Sequence, residues 1–173
     1  MLLLHSQPGS VNLKLPVYSQ KIINTSFMYI FFKYLHSGLR YIVLILVVAA
    51  VIQALLGWLG KKTYTEGNRK LNLFALISAH TQLIIGLVLY FLSPLVNFSG
   101  AAMKDPIARY WTVEHITMMI IAIVLITVGY ARSKRVLVPE KKHANIFIFY
   151  FLAIIIVVVT LILSHRGVLG MSA

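Results

Sequence analysis

Four long apolar runs separated by short polar stretches set the pattern of this chain. The first, over about 35–59, opens as LHSGLRY and continues YIVLILVVAAVIQALLGWLG without a charge. The others cover about 71–92, stopped by Ser93-Pro94, then 109–131 and 144–164. Each is roughly 20 residues, which at about 1.5 Å of rise per residue crosses a hydrocarbon core of about 30 Å. Trp58, Tyr90, Trp111 and Tyr130 fall near run ends, where interfacial aromatics collect. The pattern predicts an all-α, membrane-embedded four-helix up-down bundle.

Lysine and arginine set the expected orientation. The first connecting loop, KKTYTEGNRK, holds Lys61, Lys62, Arg69 and Lys70, and the third holds Arg132, Lys134, Arg135, Lys141 and Lys142. The second has only Lys104 and Arg109, and the C-terminal segment only Arg166. Cytoplasmic loops carry the excess of bases, so loops one and three are expected inside and both termini on the outer side. Residues 1–27 differ from the rest. They have no basic n-region, no long apolar run and no helical period, so they do not read as a signal peptide. The expectation is a disordered or mis-assigned extension, with a single four-span domain over 28–173.

Composition narrows the function classes. The chain is 60% hydrophobic and only 12% charged, against roughly 25% charged in a soluble domain. Its net charge of +12 comes mostly from bases flanking the apolar runs, which leaves no basic surface for nucleic acid. The absence of cysteine excludes disulfides, thiolate metal sites, iron–sulfur clusters and covalent haem attachment. The four acids, Glu66, Asp105, Glu114 and Glu140, are too few for a carboxylate metal cage. No nucleophile–base pair or carboxylate dyad is visible, so hydrolytic chemistry is not expected.

The two halves share a faint likeness. GWLGKK and GYARSKR end the first and third runs, and RKLNLF and KKHANIF open the second and fourth. A duplicated hairpin and chance similarity of basic-flanked spans both account for this.

The histidines are the candidate chemistry. His5 lies in the N-terminal extension, and His143, beside Lys141 and Lys142, reads as a solvated or headgroup-facing residue. His36 sits at the outer mouth of the first span, His115 about 6–9 Å inside the third by helical rise, His80 near the middle of the second, and His165 at the outer end of the fourth. Ionisable residues inside membrane helices are rare and usually face the bundle interior. In an up-down bundle the first and third helices are diagonal, leaving a slot between them. His36 and His115 could face each other across it and ligate a haem iron. His80 is the reserve partner, about 8 Å deeper.

Steps of three and four from His36 meet Arg40, Val43, Val47, Ala50, Ala54 and Gly57; from His115 they meet Met119, Ala122, Ile126 and Gly129. Such small stripes suit a flat ring and equally suit close helix packing. Arg40 could bind a haem propionate, pair with Glu114, or do both with its five donors. Alternatively His80, Thr81 and Gln82 only join helices by hydrogen bonds, or His36, His115, His165 and Glu114 hold copper or zinc.

The stretches LHSGLRY, GWLGKK, SAHTQLIIGLVLYFLSP and MKDPIARYWTVEHITMMIIAIVLITVGY, with the following SKR, resemble a family of small bacterial four-helix membrane proteins commonly labelled "cytochrome B". The resemblance covers about Met28 to Arg135; the fourth span matches in character only. It implies non-covalent haem b, electron transfer within the bacterial inner membrane, and histidine positions that map to His36, His80 and His115. Respiratory-complex subunits or quinone are the implied partners. A cofactor-free structural subunit and a haem-handling enzyme or carrier stand as the alternatives.

Overall fold

The computed structural model describes residues 17–164. Four helices are long and apolar enough to cross a membrane. They are α1 (Val17–Leu59), α2 (Glu66–Leu92), α3 (Pro106–Arg135) and α4 (Pro139–Leu163), with a short 3₁₀ turn at Gly100–Lys104. The second turn of α3, Tyr110–Glu114, is a π turn.

Local chemistry sets the helix ends. α1 stops where Gly60 is followed by Lys61 in the left-handed region, at φ 48°. The Lys62 N–H then returns to the Gly57 carbonyl at 2.9 Å and the Lys61 N–H to the Trp58 carbonyl at 3.3 Å, which is the Schellman arrangement. α2 opens on a reciprocal capping box. The Asn68 N–H donates to Thr65 Oγ1 at 3.3 Å, and the Thr65 N–H donates to Asn68 Oδ1 at 2.7 Å. Thr65→Ala removes half of that exchange, and an unfolding titration in detergent is expected to show a loss of about 1 kcal/mol. α3 begins at Pro106, with Asp105 Oδ1 accepting from the Ile107 N–H at 2.9 Å. α4 begins at Pro139, where a missing N–H is harmless.

α1 packs against α2 and α4, α3 packs against α4 and, less closely, α2, and α1 and α3 lie diagonally opposed. This is the up-down bundle that the pattern predicts. The predicted stripes face inward: Val47, Ala50 and Ala54 of α1 and Ala122 and Ile126 of α3 are buried, together with Ala75 and Ala79 of α2 and Ile146, Tyr150 and Ala153 of α4. Small residues let helices approach where apolar burial alone gives no drive. Large side chains such as Ile45, Phe74, Ile84, Phe91, Val124 and Ile162 point away from the bundle. Apolar exposure on this scale belongs against lipid, so the chain is a multi-pass membrane protein.

One boundary differs from expectation. The helix that carries the first span is longer than the apolar run: α1 begins at Val17 rather than near residue 35. Residues 27–35, FMYIFFKYL, are apolar apart from Lys33, whose long stem can carry its charge outward. His36 therefore lies well inside a helix, not at its mouth. Residues 17–27 of the expected extension are helical; residues 1–16 lie outside the described residues.

Candidate functional site

Between the diagonal helices, at the end of the bundle that carries the second loop, lies a cavity of about 200 Å³. His36, Arg40, Val43 and Val47 line it from α1, and His115, Met119, Ala122 and Ile126 from α3. Ala79, Gln82 and Gly86 contribute from α2 and Ala153, Val157 and Thr160 from α4. The two sequence stripes thus divide by depth. Their first residues border open space; further along, Ala50, Ala54 and Gly57 on α1 and Gly129 on α3 close the interior by direct packing. Open space and tight helix contact are both present, at different levels.

His36 and His115 meet across this cavity. Their ring centres are 6.5 Å apart and their planes 71° apart. A metal–imidazole bond of roughly 2.0–2.1 Å plus about 1.1 Å from nitrogen to ring centre would put two imidazoles on opposite sides of one metal about 6.3 Å apart. The observed separation is close to that value, and it is also within the range of an edge-to-face contact between the two rings.

Each ring is placed by a neighbouring helix. Gly86 of α2 forms a cradle for His36: a Cβ at that position would come within 2.9 Å of the His36 Cε1. Gln82 Nε2, one turn earlier on α2, donates to the His36 carbonyl at 2.8 Å, while His36 Nδ1 is buried without a hydrogen-bond partner. His115 packs against both Tyr110 and Trp111, with ring centres at 5.9 and 5.3 Å. Tyr110 is tied to α4 through a 2.7 Å hydrogen bond from its hydroxyl to the Thr160 carbonyl. Tyr90 of α2 likewise donates to the Thr112 carbonyl, inside the π turn, at 2.8 Å. Side chain-to-carbonyl ties thus join α1 to α2, α2 to α3 and α3 to α4 in the half of the bundle that holds the cavity.

The other expected residues divide. Arg40 borders the cavity one turn from His36, and its guanidinium donates to the Tyr41 hydroxyl at 3.1 Å and lies over that ring. Glu114 does not pair with Arg40 but with Arg109, at 2.7 Å. That partner is five residues back on the same helix, and the π turn brings such positions to one face. His80 is not a lining residue. Its Nδ1–H donates to the Leu76 carbonyl at 2.9 Å, and its Nε2 faces Thr127 Oγ1 of α3 at 3.4 Å. This is the helix-joining role weighed for it as the alternative. His165 lies outside the described residues, and among the described residues no group of three or more His, Asp or Glu converges as a metal site would require.

Two features escaped the sequence reading. Lys33, three residues before His36, also lines the cavity, so two cations on one face of α1 flank the histidine. His143 is not a headgroup residue. It is 2% exposed, its ring fills the notch left by Gly57, and Tyr64 covers it at 5.0 Å between centres. Tyr64, in the first loop, accepts a 2.9 Å hydrogen bond from Asn72 Nδ2, and burial is the main cause pushing its phenol above the ordinary value. This polar knot holds the basic-loop end together and lines no part of the cavity. Tyr150 extends it, donating to the Asn72 carbonyl at 3.0 Å.

Comparison with family models, curated proteins and solved structures returned no match, so the site is read from its own geometry.

Proposed function

We propose that this protein is a membrane b-type haem protein that passes electrons within the bilayer, with His36 and His115 as axial ligands. The observation that carries this reading is the 6.5 Å separation of the two imidazoles across a cavity. Three further features fit a haem: the Gly86 cradle behind His36, the partnerless buried His36 Nδ1, and small side chains along the slot. The donor set is compatible too: without cysteine, a haem in this site would be held by imidazoles rather than thiolates.

A haem held by His36 and His115 would supply one-electron transfer. The chain's own residues do the rest. Arg40 and Lys33 offer cations to carboxylates at the polar edge of the slot. Val43, Val47, Met119 and Ile126 keep water from its apolar part. The base-rich first and third loops favour a cytoplasmic location for that end, hence outer-side termini in a bacterial inner membrane. Partner subunits of a respiratory assembly, or quinone, are the proposed electron partners.

Haem content tests the reading. Protein purified from haem-replete cells is expected to carry acid-extractable haem at a fixed stoichiometry through washing. A colourless protein favours the cofactor-free structural subunit, and haem lost progressively on washing favours a carrier.

A further inference from the structure

Tyr110 and His115 are five residues apart. At about 100° per residue an α-helix would set them about 140° apart around its axis. The π turn at Tyr110–Glu114 cancels that offset, with the His115 N–H bonded to the Tyr110 carbonyl. The phenol and the imidazole therefore share a face, with the Tyr110 hydroxyl 3.5 Å from His115 Nδ1. Isolated π turns inside α-helices frequently mark functional positions.

The hydroxyl carries one hydrogen, and the Thr160 carbonyl on α4, an acceptor only, takes it at 2.7 Å. Toward His115 the phenol oxygen can then offer only a lone pair. A hydrogen bond across that 3.5 Å gap requires the imidazole hydrogen on Nδ1, which leaves Nε2 as the basic nitrogen. His36 has no such side-chain partner: its Nδ1 meets none, and its ring interacts with the Gln82 backbone. The two imidazoles across the cavity are thus held differently, His115 beside a phenol and His36 against the α2 backbone.

We infer that Tyr110 is a positioning residue that fixes His115 as its Nδ1–H tautomer, through a Thr160 carbonyl–Tyr110–His115 relay, so that Nε2 is the ligating nitrogen. This rests on the reading of His115 as an axial ligand only for its consequence; the tautomer is a property of the chain itself. A donor on the second nitrogen orients a ligating imidazole and makes it more basic.

The test is ¹⁵N NMR of histidine-labelled, haem-depleted protein in detergent, with the His115 signal assigned by its absence in His115→Ala. The wild-type protein is expected to show His115 with Nδ1 protonated and Nε2 bare. Tyr110→Phe keeps the ring but not the relay, and is expected to lose that preference. Trp111→Phe, which alters the other aromatic wall of the same imidazole, is expected to keep it. In haem-loaded protein, Tyr110→Phe is expected to weaken haem retention about tenfold, within the range for an outer-shell partner, and to raise the midpoint potential because the ligand is less basic. A wild-type His115 protonated at Nε2 overturns the inference without any variant, and so does an unchanged tautomer in Tyr110→Phe. A protein that shows the expected tautomer but binds no haem sinks the haem reading alone.

Discussion

His36→Ala and His115→Ala are each expected to abolish the low-spin haem spectrum, while His80→Ala leaves it intact. The first two residues meet across the cavity, and the third is directed to the Leu76 carbonyl and Thr127. Loss of an outer-shell partner costs about 10–100-fold in affinity, and loss of an axial ligand should exceed that. Optical spectra and haem content of the purified variants measure it. A low-spin spectrum that survives in both His36→Ala and His115→Ala, and disappears in His80→Ala, would move the ligands to the reserve position. Gly86→Ala should fall between, because the added Cβ presses on the His36 ring without removing it.

The second large effect is structural and lies at the opposite end of the bundle. Gly57→Ala is expected to destabilise the protein by about 1–3 kcal/mol, the usual range for overfilling a packed interior. The new Cβ would overlap the His143 ring, and that ring, 2% exposed, has nowhere to move. Gly38→Ala supplies the contrast. It lies in the same helix with nothing within 4 Å of its would-be Cβ, so higher helix propensity should stabilise it by up to about 1 kcal/mol. Unfolding titrations in one detergent compare the two. His143→Ala in the Gly57→Ala background should recover part of the loss, as contacting residues are coupled. Equal, small effects at Gly57 and Gly38 would contradict the notch.

Most of the fold was legible because it depends on local pattern. Hydropathy located four helices, Ser93-Pro94 marked the end of α2, and steps of three and four from the histidines picked out the inward faces. Helical rise and up-down topology were enough to bring His36 and His115 into consideration as a facing pair. The failures have non-local or backbone causes. His143 reads as solvated beside Lys141 and Lys142, because the glycine notch that receives it belongs to α1. A π turn carries no composition signal, so neither the Arg109–Glu114 pair nor the apposition of Tyr110 to His115 could be read from spacing. Lys33 was hidden by placing the start of the first span at residue 35 when the helix that carries it begins at Val17. A check of positions three and four before His36, as well as after it, would have found it.

The central claim is that His36 and His115 together hold one haem iron, and electron paramagnetic resonance of the oxidised wild-type protein tests it most directly. Iron held by these two imidazoles should give a low-spin ferric signal. That signal should be lost in either His36→Ala or His115→Ala. A protein without haem, or one whose iron is high-spin with a single histidine ligand, would contradict the account.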